Sequence, residues 1–149
     1  MSQPEEGALR LADFLPYQLS IASNAVSNRI AELYRSEFGL KIPEWRVMAV
    51  LGDRGALTQR QLAEATVMDK VAVNRACKAL EARGLVERAP NRHDGRSHHL
   101  TLTPEGQTIH GRIMPLAREM ERRLFGSWPA ADRAAFARLL ALVRAGAGG

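Results

Sequence analysis

The chain has 149 residues, 46% of them hydrophobic and 25% charged, the size and balance of one globular domain with a substantial core. Its net charge of +5 and sequence pI near 10.1 favour polyanionic partners. No apolar run approaches the roughly 18 residues needed to span a bilayer, and MSQPEEGALR is acidic and polar where a secretion signal would be basic and then apolar, so a cytoplasmic protein is expected.

Residues 1–10 read as a loose tail. A long helix is predicted from a cap at Asp13 to about Phe38, with Pro16 in its first turn, where a missing N–H costs least. Leu15, Leu19, Ala22, Val26, Ile30 and Leu33 recur at three- and four-residue spacing, which predicts one buried face. The run Ser20, Ser23, Asn24, Ser27, Asn28 and Arg29 reads as a solvated face. Gly39 should end this helix, and IPEWRVMAVLGDRG opens another with Pro43 in its first turn. Trp45, Val47, Met48, Val50 and Leu51 cover most of its circumference, so a central core helix is expected. Arg46 interrupts that surface, and either snorkels outward or meets an anion.

Thr58 followed by Gln61 is a capping pair, in which each side chain satisfies the other's free backbone donor at a helix start. Leu57 and Leu62 fall at the flanking staple positions. A second short helix is predicted from about Asp69 to Arg83, with Val73, Ala76, Cys77 and Leu80 as its apolar stripe and Gly84 as its end. Its opposite face gathers Lys70, Val71, Asn74, Arg75 and Lys78 without a carboxylate. Such a helix fits the major groove of duplex DNA, where Arg or Lys reads guanine, Asn reads adenine and an aliphatic group meets a thymine methyl. Thr58 and Gln59, at the start of the preceding helix, complete this candidate DNA-contacting set.

Leu85 and Val86 open a short strand, Leu100 and Leu102 alternate with polar residues in a second, and Asp94-Gly95 is expected to supply the tight turn between them. The tip carries Arg92, His93 and Arg96. A basic hairpin beside a basic helix makes a two-pronged grip on DNA. Charge is distributed accordingly: Arg54 to Arg96 holds nine Lys/Arg against five Asp/Glu, and the rest of the chain twelve against eleven.

Thr103 and Pro104 start a helix predicted to reach about Phe125, with a kink at Pro115, and Pro129 starts the last helix, striped by Phe136, Leu139, Leu140 and Val143 before a fraying GAGG end. A monomer would expose the stripes of the first and last helices, so dimerisation is expected to cover them. A two-fold dimer would set two reading helices roughly 34 Å apart on a palindromic operator.

The order helix, helix, LEARGLV, Asp94-Gly95-Arg96 and LTLTPEG, with long helices before and after, resembles the MarR family of bacterial winged helix-turn-helix transcriptional regulators over nearly the whole chain. The resemblance implies a mainly α fold with a small β-hairpin wing, in one domain. Residues from about 40 to 104 would form the DNA-binding lobe, and about 11–38 and 105–146 the dimerisation helices. It further implies that Arg96 enters the minor groove, that Asp94 helps hold the wing, and that a small-molecule pocket lies beside the first helices. FLPYQLSIASNAVSNRIAELYRSEFGLKIPEWRVMAVL looks like relatives controlling the breakdown of aromatic acids, some of which answer to the coenzyme A thioester. Tyr17, Asn24, Asn28, Trp45, Arg46 and His110 are the candidate effector contacts, able to stack a ring and meet an anion.

Other chemistries find little support. Cys77 is the only cysteine, which excludes an internal disulfide, and its place on an apolar stripe suits a buried structural thiol. Among His93, His98, His99 and His110, the adjacent pair His98 and His99 points to opposite strand faces and cannot share a metal. No catalytic constellation or cofactor motif stands out. The expected protein is a homodimeric DNA-binding regulator and not an enzyme. The alternatives are an architectural DNA binder indifferent to small molecules, or a winged-helix module for protein contacts, which would not need the basic face.

Overall fold

Two tight glycine corners organise the chain. The computed structural model describes residues 10–91 and 94–148, and for 91 and 94–97 the backbone alone. A short 3-10 turn at Leu11–Asp13 leads into α1 (Leu15–Phe38), followed by α2 (Ile42–Arg54), β1 (Leu57–Thr58), α3 (Gln59–Thr66), α4 (Lys70–Ala82), β2 (Val86–Asn91), β3 (Asp94–Leu102), α5 (Pro104–Phe125) and α6 (Ala130–Gly148). The described residues to His110 form one compact unit and those from Gly111 a second.

In the first unit, α1 ends because Gly39 adopts a left-handed conformation (φ 65°), and the N–H of Leu40 reaches back to the Tyr34 carbonyl at 3.2 Å. Leu40 is fully buried, and Tyr34, Phe38, Val47 and Met48 are buried as well. The N–H of Lys41 donates to Glu44 Oε1 at 3.3 Å at the start of α2. The second corner follows α4. Gly84 (φ 72°) lets Leu85 N–H bond the Leu80 carbonyl at 3.0 Å, a Schellman arrangement that buries Leu85 beside Leu80.

The sheet is antiparallel in the order β1-β3-β2. Strand β1 is an addition to the expected hairpin: its two residues pair Leu57 with Leu100 and Thr58 with His99, too short a run for alternation to announce it. The turn also differs from expectation. Asn91 pairs with Asp94, which begins β3, so Asp94-Gly95 is not the turn dipeptide. The register slips between Pro90, opposite His98, and Asn91, and that irregularity takes up the residues that follow Asp94.

Three further expectations fail. Asp13 does not cap α1: it lies in the 3-10 turn, and Phe14 holds the cap position with no side-chain hydrogen bond. The α1 stripe is covered only in part, since Leu15 is 73% exposed and Leu19 and Ala22 are exposed, while Val26, Ile30 and Leu33 are half-buried. The glycine-rich end of α6 remains helical to Gly148. In the second unit, Phe125, Trp128 and Phe136 form an aromatic cluster with ring centroids 4.9–5.7 Å apart, and Arg133 donates to the Phe125 and Trp128 carbonyls at 3.3 and 2.6 Å. Helix α5 runs through Pro115 without interruption. No described helix is long and apolar enough to cross a membrane.

The corner at Gly84 is locked to the start of α5. Thr103 Oγ1 donates to the Gly84 carbonyl at 2.6 Å and accepts from Gly106 N–H at 3.0 Å, while Thr103 N–H donates to the Leu85 carbonyl at 3.1 Å. A Cβ on Gly106 would lie 2.0 Å from that same carbonyl oxygen. Gly106→Ala is therefore expected to lower stability by about 1–3 kcal/mol. Gly111→Ala, in open space on α5, should instead raise it by about 0.5–1 kcal/mol. Urea unfolding midpoints measure both, and equal midpoints for the two variants would contradict the steric assignment.

Candidate nucleic-acid interface

Helices α3 and α4 are each started by a side chain. Thr58 Oγ1 accepts from Gln61 N–H at 3.1 Å while Gln61 Oε1 accepts from Thr58 N–H at 2.9 Å, the reciprocal cap read from the sequence. Asp69 Oδ1 accepts from Ala72 N–H at 2.7 Å at the start of α4. The capping oxygen of Thr58 is thus committed inward. Between the helices, Val67 adopts φ 55°, a left-handed conformation that costs a branched residue about 1–2 kcal/mol, and is 79% exposed. The sequence signal for this strained corner was the lack of a glycine in the short link between two capped helices.

Burial of Val73, Ala76, Cys77 and Leu80 fixes the roll of α4 about its axis. The opposite face is consequently turned to solvent: Val71 is 67% exposed, Lys70, Arg75 and Lys78 are exposed, and Asn74 is half-buried. None of these three cations is ion-paired among the described residues. Asp94 and Arg96 lie on β3 with only their backbone described, and Arg92 lies outside the described residues.

Sequence reading missed a polar chain that crosses this unit. Arg88 on β2 contacts Glu81 Oε1 on α4 through Nε at 2.5 Å. With its carbonyl turned toward the guanidinium, Gln59 accepts from Arg88 Nη1 at 3.1 Å and Nη2 at 2.6 Å. The Gln59 amide in turn lies 3.3 Å from that of Asn74. Arg83 was also missed: its two Nη atoms donate to the Phe38 and Gly39 carbonyls at 2.8 and 3.3 Å, capping the end of α1 from the end of α4. Both arginines sit in a stretch where arginine is frequent, and nothing in their spacing separates these from solvated ones.

The six candidate effector contacts are less gathered. Tyr17, Asn24 and Asn28 recur along one side of α1 and are exposed. Trp45 meets Tyr34, centroids 4.9 Å apart, and its Nε1 is buried with no hydrogen-bond partner among the described residues. Arg46 is half-buried. His110 packs on Gly52, where a Cβ would lie 2.1 Å from its Nε2. Among the described residues no hydrogen bond or ring contact joins any two of the six. No cluster of three His, Cys, Asp or Glu able to hold a metal occurs among them either.

Residues 38–97 match the sequence model of the MarR family. The HTH-type transcriptional repressor NicR of Pseudomonas putida is 31% identical over 93 residues, covering 62% of this chain and 59% of NicR. The crystal structure of the MarR family transcriptional regulator SPO1453 of Silicibacter pomeroyi is 30% identical, covers 91% of this chain and 98% of its own, and superposes with a TM-score of 0.76. BpsR of Bordetella bronchiseptica, whose DNA binding is regulated by 6-hydroxynicotinic acid, is 24% identical and shares the fold at a TM-score of 0.84, over 92% of this chain and 97% of its own.

Burial pushes the Cys77 thiol up to about 11, with Arg88 pulling it down and Glu81 pushing it further up. Because the folded value exceeds the ordinary 9.0, ionisation favours the unfolded chain, and the stability this thiol contributes below pH 9 should be lost as pH rises through about 11. A thiol reagent at pH 8 should leave the native protein unlabelled and label the urea-unfolded chain within minutes. Rapid stoichiometric labelling of the folded protein would refute the buried assignment.

Proposed function

Because the chain belongs to the MarR family of transcriptional regulators, we propose that it acts as a homodimeric repressor on a palindromic operator and that a small aromatic acid, or its coenzyme A thioester, releases it. The carrying observation is the face of α4, where Lys70, Arg75 and Lys78 stand exposed beside Asn74 and Val71 on a helix locked by its buried stripe. In this reading Lys70, Arg75 and Lys78 neutralise phosphates or reach guanine, Asn74 reads adenine, and Val71 meets a thymine methyl. Thr58 and Gln59 present the start of α3 to the DNA backbone. The wing contributes Arg92 and Arg96, with Asp94 bracing it.

Dimerisation is supported by apolar surface that one chain leaves in water. Leu15, Leu19 and Ile21 on α1 are exposed, and so are Leu139, Leu142 and Val143 on α6, Leu142 by 59%. Covering both sets against a second copy along a two-fold axis pairs the reading helices for two half-sites. The effector class is supported by chemistry at α1 and α2. Trp45 offers an indole N–H that no described residue accepts, Arg46 offers a cation, and Tyr17, Asn24, Asn28 and His110 supply stacking and polar contacts.

Fluorescence anisotropy on duplexes selected from a random pool tests DNA recognition. Arg75→Ala and Arg96→Ala should weaken binding and each reduce the salt slope by about 1. Asn74→Ala should cost about 1–3 kcal/mol of discrimination at one base position. Arginine variants that bind DNA like the parent protein would point to a protein-interaction module.

Adding aromatic acids and their coenzyme A thioesters to the operator complex tests the effector. At least one compound should raise the melting temperature of the free protein and lower operator affinity by about 5- to 150-fold, the usual coupling of 1–3 kcal/mol. Uniform silence across the series, with binding steeply salt-dependent and indifferent to sequence, would favour the architectural binder instead.

A further inference from the structure

We propose that Arg88 is the positioning residue that sets which way the Asn74 side-chain amide faces, and so makes this position read adenine. The proposal rests on the DNA-reading role given above to Asn74.

A carboxamide is nearly two-fold symmetric in shape but not in chemistry: one end accepts two hydrogen bonds and the other donates two. An unrestrained Asn on an exposed helix face can therefore offer its donor and acceptor in either order. Here the order is dictated from a distance. An arginine side chain can only donate. Because Arg88 Nη1 and Nη2 lie 3.1 and 2.6 Å from one atom of the Gln59 amide, that atom must be the carbonyl oxygen. The same Gln59 atom lies 3.3 Å from the position of Asn74 Oδ1, and two carbonyl oxygens cannot share a hydrogen bond, so once Gln59 turns its oxygen to Arg88 the Asn74 amide must turn as well and bring Nδ2 toward Gln59. Asn74 then keeps Oδ1 and a second Nδ2 hydrogen that Gln59 does not use. That is the pair adenine complements in the major groove, through its exocyclic amine and N7.

The far end of the chain is anchored as well. Glu81 Oε1 sits 2.5 Å from Arg88 Nε, fixing the plane of the guanidinium and neutralising its charge. Arg88 is thus already committed to two partners within the protein, and its side chain is 32% exposed. The groups come from three elements, α3, α4 and β2, so the base-reading amide is referenced to the wing strand as well as to its own helix. A displacement of β2 would release the order in which Asn74 presents its two groups.

Competition anisotropy with the selected duplex and its three single-base replacements, at the position that Asn74→Ala identifies, tests the idea. Arg88→Met keeps the aliphatic stem and removes every donor. It should cut the ratio of adenine to non-adenine affinity by about 10-fold, within the range a bidentate base contact supplies. In the Asn74→Ala background the same change should cost no further discrimination, because both substitutions act on one contact. Glu81→Gln, which loosens the anchor without removing Arg88, should shift the ratio in the same direction by less. In the DNA-free protein, one Asn74 side-chain amide proton should exchange slowly, and Arg88→Met should abolish that protection.

Arg88→Met weakening all duplexes alike with the ratio intact would overturn the proposal and reduce Arg88 to a brace or phosphate contact. Asn74→Ala leaving base preference unchanged would overturn the reading of Asn74 itself, and this proposal with it. Loss of discrimination in Asn74→Ala but not in Arg88→Met or Glu81→Gln would overturn this proposal alone.

Discussion

The winged unit depends on one corner, where the end of α4, the first residues of β2 and the start of α5 meet around the carbonyls of Gly84 and Leu85. Thr103 binds both through its hydroxyl and its N–H, and Gly106 approaches so closely that no side chain fits between it and the Leu85 oxygen. Leu85 is buried, so its carbonyl would cost about a lost hydrogen bond if left unsatisfied there. Thr103 also starts α5, so the first turn of that helix is tied to the end of the proposed reading helix. The segments LEARGLV and LTPEG, separated in sequence, are two halves of this one joint.

Above the joint, the energetics divide between a dry stripe and a wet face. Val73, Ala76, Cys77 and Leu80 are essentially removed from water, and each such apolar side chain contributes on the order of 1–3 kcal/mol by burial. The ion pair of Arg88 with Glu81, with both side chains about one-third exposed, adds little to stability by comparison. Its consequence is geometric, since it holds a forked donor in place at the edge of the cationic face. Orientation of polar groups is inexpensive to alter and decisive for what a surface recognises.

Apolar stripes on α1 and α6 stand exposed. Their three- and four-residue spacing is that of buried helices, yet Leu15, Leu19, Leu139 and Leu142 are exposed. Apolar surface of this kind marks a site for interaction with a partner. Arg83, reaching from the end of α4 to the last carbonyls of α1, means that such a partner would bear on a helix already fastened to the proposed reading helix.

Much of this was legible in the residues alone, because the determining physics is local. Thr58 with Gln61, Asp69, Gly39 and Gly84 each act within one helical turn of themselves, and the stripe of α4 follows from period alone. What could not be read were pairings whose partners are distant in sequence. Strand β1 is defined by Leu100 and His99 rather than by its own two residues. Asp94-Gly95 has turn chemistry, yet the register with Asn91 carries Asp94 into β3. The buried face expected of α1 was a correct period assigned to the wrong environment, since period states which side is apolar and not what lies against it. Short-range sterics and capping therefore determined where α3 and α4 begin, where α1 and α4 end, and which residues face outward on α4. Only the tertiary structure decided that Arg88, Glu81, Gln59 and Asn74 share one chain of hydrogen bonds, because a side chain's partner depends on how helices and strands close on one another.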